Sequence, residues 1–124
     1  MKNPHGILAI LATLFLASPL LGQSDSGTLE HDGLSRQYLW YYPDNMPQDA
    51  PLVVVMHGYG GSAMSMRNDY GWTQLAEAEG FGLCFPEGTL DDWNNRFWNV
   101  GYEFHADETV DDTGFIVALV EYLQ

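Results

Sequence analysis

The sequence predicts an α/β fold in which an antiparallel hairpin leads into a parallel strand–helix–strand unit. Three observations carry this. Residues 52–56 are an unbroken apolar run with β-branched Val53, Val54 and Val55, closed off by Pro51 before it and glycines after it. Such a run reads as a strand buried on both faces, which belongs to a mostly parallel sheet, because an antiparallel strand with one wet face would alternate with polar residues. A helical stretch and a second short apolar strand then follow, the order of a βαβ unit with a right-handed crossover.

Taken in order, the chain opens with Lys2 and an almost wholly apolar stretch over residues 7–17. This is the pattern of a signal peptide, read over residues 1–22, and its core is too short for a spanning helix, which needs about 20 residues. It predicts a secreted protein, extracellular or periplasmic, with no membrane attachment after cleavage. The remaining chain carries three arginines against seventeen carboxylates, a formal charge of −14. Nucleic acid and anionic membranes are excluded as partners by that field. Cys84 is the only cysteine, so no internal disulfide forms, and its place in the apolar run 81–85 reads as burial.

Residues 23–27 read as a flexible polar leader, and residues 23–34 as leader and first strand. Thr28, Leu29 and Glu30, the turn His31-Asp32-Gly33, and the aromatic-rich run 35–42 read as a hairpin with an Asp-Gly turn signal. Pro43, Pro47 and Pro51 make a loop at the mouth of the apolar strand. After the strand, residues 72–79 are good helix formers stopped by Gly80, with Trp72, Leu75, Ala76 and Glu79 on one face. Residues 82–85 form a second buried strand ended by Pro86. Residues 87–110 show little periodicity and hold Trp93, Phe97, Trp98, Tyr102 and Phe104, a loop long enough to be functional. Its aromatics, Trp93 and Trp98 foremost, either line a substrate pocket or lid the core. Asp111 and Asp112 open a last helix as a capping pair, and Phe115, Ile116, Leu119, Val120 and Leu123 make its apolar stripe. That helical pattern runs to Gln124 without a stop signal, so the sequence reads as truncated.

The candidate site is the exit of the first buried strand, His57-Gly58-Tyr59-Gly60-Gly61-Ser62-Ala63. Glycines let the backbone take positive φ and approach a ligand, and ligands of open α/β sheets bind at the carboxyl ends of strands. A phosphate-cradling loop would need Lys-Ser or Lys-Thr after its second glycine, and the next basic residue is Arg67. A dinucleotide G-x-G-x-x-G fingerprint fails as well, because no third, correctly placed glycine follows Gly58 and Gly60. Two readings stay open: a loop that donates a backbone N–H to an oxyanion, as in α/β-hydrolases, or a structural turn that needs glycine. The four histidines are scattered, so no metal or other cofactor is indicated.

Four motifs in order, the glycine loop, Phe85-Pro86-Glu87-Gly88, Trp98-Asn99-Val100-Gly101 and Val110-Asp111-Asp112-Thr113-Gly114-Phe115-Ile116, resemble the secreted polyhydroxybutyrate depolymerase and feruloyl or acetylxylan esterase group of α/β-hydrolases. The resemblance covers residues 36–124 and implies that residues 35–124 are the amino-terminal half of an α/β-hydrolase catalytic domain. It implies an ester of the plant cell wall or a polyester as substrate. It also implies that the backbone N–H of Tyr59 is half of an oxyanion hole, with His57, Gly58, Gly60 and Gly61 supporting the loop. Many members carry cysteines where Tyr102-Glu103-Phe104-His105 stands, so a bracing disulfide is missing here. The family's Ser, in a G-x-S-x-G elbow, and its Asp and His come later, and none is among these residues. The chain by itself is therefore expected to be inactive. The second reading is a non-catalytic acidic module that binds a carbohydrate or polymer surface through Trp93 and Trp98.

Overall fold

A computed structural model describes residues 22–124; the signal-peptide stretch, apart from Gly22, lies outside the described residues. Gln23–His31 (β1) and Leu34–Tyr42 (β2) pair antiparallel along their whole length, from Gln23 opposite Tyr42 to His31 opposite Leu34. Residues 23–27 are thus the first part of a strand, not a flexible leader: across the ladder from Tyr38 stands Gly27, where a side chain would collide with the Tyr38 ring. The turn has Asp32 at φ 49° and Gly33 at φ 76°, the left-handed pair that an Asp-Gly hairpin turn demands.

Leu52–Val54 (β3) pairs parallel with Gly82–Pro86 (β4), and β4 also pairs antiparallel with β2, so the sheet is mixed, in the order β1-β2-β4-β3. The expectation of burial on both faces holds for β4, all five of whose residues are buried, and fails for β3. As an edge strand β3 is half-buried, with Met56 beyond it 41% exposed, because a strand with a neighbour on one side only is shielded less.

Two helices, not one, fill the crossover. Ala63–Asp69 (α1) is invisible to hydrophobic periodicity but is capped by Ser62, whose side chain accepts the Ser65 N–H at 3.1 Å. Trp72–Glu79 (α2) sits between Gly71 and Gly80, both left-handed, and the Gly80 N–H closes onto the Ala76 carbonyl. Its buried stripe is narrower than predicted: Ala76 is buried and Trp72 packs beside it, while Leu75 faces outward. Thr89–Leu90 (β5) and Arg96–Phe97 (β6) make a small hairpin after β4, and a 3-10 turn follows at Glu103–His105. Asp112–Leu123 (α3) completes the fold.

Strand alternation on β4 divides the core in two. Cys84 packs with Tyr38, Trp98, Phe115 and Leu119 on the α3 side; Leu83 and Phe85 pack with Val55, Ala63 and Ala76 on the side of α1 and α2. The two aspartates opening α3 take separate roles. Asp111 is the N-cap, accepting the Gly114 N–H at 2.9 Å, whereas Asp112 is buried, takes the Arg36 guanidinium at 2.6 Å and accepts the Asn99 N–H. Arg36 also lies 4.1 Å above the Phe115 ring, so one salt link fastens β2, α3 and residue 99 together.

Candidate functional site

β3 and β4 run parallel, so their carboxyl ends emerge on the same side of the sheet. The loop leaving β3 and the β5–β6 hairpin that follows β4 therefore meet. The contact is almost entirely polar. His57 is buried and spends both ring nitrogens: Nδ1 lies 2.8 Å from the Gly58 carbonyl, and Nε2 receives the Gly88 N–H at 3.0 Å. These partners assign the Nδ1–H tautomer. The same Nε2 is 3.2 Å from a Glu87 carboxylate oxygen, but an ion pair there would need Nε2 to carry a proton, and the Gly88 N–H occupies its lone pair. The His57 ring is thus a brace inside the loop, with no nitrogen left to act as a base.

The other supports converge on the loop of residues 57–61. Trp98 donates its indole N–H to the His57 carbonyl at 2.9 Å and packs its ring against the imidazole at 5.0 Å. Gly60 donates to the Arg96 carbonyl at 2.8 Å, and Gly61 to that of Gly58 at 3.0 Å. Gly60 needs to be glycine because its φ is 74°. Gly88 needs to be glycine for another reason: a β-carbon there would strike the Phe97 carbonyl. Glu87 accepts the N–H of Ala63 at 3.1 Å, with Arg96 Nε 3.6 Å away.

Tyr59 stands out in this arrangement. Its hydroxyl donates to Asp91 at 2.7 Å and accepts from the Asn95 amide at 3.0 Å, and its ring lies edge-on to Phe104. Its backbone N–H has no acceptor among the described residues. Asp91 is itself a collecting point, taking the Trp93 and Asn95 N–H groups on one oxygen and Tyr59 and His105 on the other. Burial pushes the Asp91 carboxyl up, yet the bonds from Asn95, Tyr59, His105 and Trp93 outweigh it and hold the pKa at about 2.

The two candidate tryptophans part company. Trp93 is 61% exposed, in ring contact with Phe104, which stacks on Tyr102 at 5.4 Å. Trp98 is inside, joined to the core and to His57. The sequence pointed to no role for Asp91 or Asn95, and it brought in Glu87 and His105 only as members of the stretches 85–88 and 102–105. The one available signal was the run Asp91-Asp92-Trp93-Asn94-Asn95, in which a leading Asp commonly bonds the N–H groups that follow it. A cleft of about 400 Å³ opens elsewhere, between the β1–β2 hairpin and α1, lined by Thr28, Gln37, Met64 and Glu87 among others. The 57–61 loop does not line it. No described helix is long and apolar enough to cross a membrane.

No family model matches the chain. Feruloyl esterase B of Talaromyces stipitatus is 33% identical over 82 residues, 66% of this chain and 22% of that protein. The bifunctional acetylxylan esterase/xylanase XynS20E of Neocallimastix patriciarum is 30% identical over 56 residues, 45% of this chain and 8% of that protein. NocK of Nocardia uniformis subsp. tsuyamanensis, whose name places it with the esterases, is 39% identical over 49 residues, 40% of this chain and 14% of that protein. The chain is thus similar to esterases over part of its length, and it spans less than a quarter of each of these relatives.

Proposed function

We propose that these residues are the oxyanion-stabilising part of a secreted, serine-type carboxylic ester hydrolase, of the feruloyl and acetylxylan esterase and polyhydroxybutyrate depolymerase group, with the Tyr59 backbone N–H as the donor. The observation that carries this reading is the pattern of hydrogen-bond use in the loop. The His57 ring and the Gly60 and Gly61 N–H groups are spent on holding the loop still, whereas the Tyr59 N–H, like those of His57 and Gly58 before it, has no acceptor among the described residues. A donor fixed before the reaction and free of internal partners costs no reorganisation when negative charge develops on an ester carbonyl.

In the mechanism, a serine attacks the ester carbonyl carbon, the carbonyl oxygen becomes the tetrahedral oxyanion, and Tyr59 N–H stabilises it while the alcohol leaves. No G-x-S-x-G elbow stands among the 124 residues, so in this reading the nucleophile lies outside them. Trp93 and Phe104, exposed beside Tyr59, offer an apolar face to the substrate, an ester of the plant cell wall or a polyester. Trp98 serves from inside by fixing His57. Purified as these 124 residues, the protein should turn over no p-nitrophenyl acetate above background, since an oxyanion donor alone forms no acyl-enzyme. Turnover that a serine-directed phosphonate abolishes would overturn the placement of the nucleophile.

The exposed strip of Trp93, Phe104 and Tyr102 favours a second reading, a non-catalytic module that binds a carbohydrate or polymer surface. Retention on insoluble polysaccharide that Trp93→Ala removes, with no response at the Tyr59 amide to an oxyanion mimic, would select it.

A further inference from the structure

Four hydrogen-bond donors converge on Asp91, and their identities matter. Two are backbone N–H groups, from Trp93 at 3.0 Å and Asn95 at 2.9 Å, both on Oδ1; two are side chains, the Tyr59 hydroxyl at 2.7 Å and His105 Nε2 at 3.1 Å, both on Oδ2. A group that meets four donors must accept only, which is the property of an ionised carboxylate and not of an amide. The side chains of Asp91 and His105 are almost wholly removed from solvent, at 0% and 1% exposure. Phe97 and Phe104 each pack against the imidazole with ring centroids at 4.3 Å, and Tyr59 and Trp93 stand farther out. His105 Nδ1 is buried without a partner among the described residues. In that setting the ring carries its proton on Nε2 and donates to Asp91, because a proton on Nδ1 would have nowhere to bond.

We propose that Asp91 is the positioning residue of the oxyanion loop, acting through the Tyr59 hydroxyl, with buried His105 holding the carboxylate in place. The proposal rests on the reading of Tyr59 N–H as the oxyanion donor. Tyr59 is thereby tied at two points to one small hairpin: its hydroxyl to Asp91 and Asn95 at the hairpin tip, and the next residue's N–H to the Arg96 carbonyl on β6. Two anchors on one rigid element fix the residue between them, and a donor misplaced by about 1 Å loses most of its catalytic value. The cluster joins residue 59, the hairpin and the 3-10 turn, three segments with no disulfide between them.

The test uses Asp91→Asn, which keeps the shape and removes the acceptor-only character, and Tyr59→Phe, which removes only the hydroxyl. In the full chain without ligand, amide NMR spectra should show the Tyr59 resonance displaced in Asp91→Asn and the Gly60 resonance displaced in both variants, with the α3 amides unmoved. The double variant should add nothing to the larger single displacement, since both substitutions cut the same link. The ring nitrogen spectrum of His105 should show the Nε2–H tautomer in the unsubstituted protein and lose that signature in Asp91→Asn but not in Tyr59→Phe. If Asp91→Asn unfolds the chain, Tyr59→Phe alone decides through the Gly60 amide, and an unmoved resonance there decides against the proposal. An unmoved Tyr59 amide, or displacements that add independently, would overturn the proposal. Adding methylphosphonate separates this from the underlying reading: no response at Tyr59 in the unsubstituted protein defeats the oxyanion assignment, whereas the ligand-free displacements judge Asp91 by themselves.

Discussion

The two faces of β4 and the junction beyond its carboxyl end are held by different forces. Around β4, Leu83, Cys84 and Phe85 are wholly buried against apolar neighbours from α1, α2 and α3, and close packing does the work. At the junction, the 57–61 loop and the β5–β6 hairpin meet through directed bonds from His57, Trp98, Gly60 and Tyr59. Apolar burial is tolerant of direction and sets how much stability there is. Directed bonds contribute modestly to net stability, yet they determine where a backbone group stands. Stability and site geometry should therefore respond to different substitutions.

The largest expected effect lies in the core. Phe85→Ala should cost about 4 kcal/mol of unfolding free energy through lost transfer energy and a cavity, read from denaturant melts. Next comes the one place where the core is fastened by charge. Arg36→Met should cost about 3 kcal/mol, because it strands the buried Asp112 carboxylate. Arg36→Met with Asp112→Leu should recover part of that loss and not all, since the Asn99 N–H still loses its acceptor. A double variant less stable than Arg36→Met would refute this account of the pair.

A smaller effect belongs to the junction and is read by acid. Asp91 is lowered from 3.8 to about 2, so its folded pKa lies below its unfolded one. Its contribution is complete above about pH 4 and is lost as pH falls towards 2, because protons then bind the unfolded chain first. Asp111, lowered by the Gly114 N–H and by His31, acts in the same direction. Stability followed from pH 5 to pH 2 should decline, and Asp91→Asn should flatten that decline. An equally steep decline in the variant would remove Asp91 as its source.

Hydrophobic runs, Gly and Pro stops, and the Asp-Gly turn made β2, β4, α2 and α3 legible in the sequence, because each of those signals acts locally. The depth of β3 was not, since burial depends on which neighbours a strand acquires. Nor was β1 over residues 23–27, whose polar Ser24, Asp25 and Ser26 are held in a strand by pairing with β2. The glycine loop could be picked out by composition. Its brace could not: His57 bonds Gly88 across 31 positions and Tyr59 bonds Asp91 across 32, and no local pattern encodes such partners. Trp98, expected beside the substrate, is instead buried with its indole bonded to the His57 carbonyl, 41 positions away.

The proposed role of the Tyr59 N–H is that of a donor fixed for an oxyanion. The direct measurement is an amide-resolved NMR titration of the full chain with methylphosphonate, a small tetrahedral anion, beside the same titration of Tyr59→Pro, which lacks the donor. The Tyr59 amide should show the largest displacement of the 57–61 loop, and Tyr59→Pro should no longer bind while its β4 and α3 resonances stay in place. A Tyr59 amide that does not move, or a proline variant that binds the anion equally well, would contradict it and leave the glycine loop a plain turn.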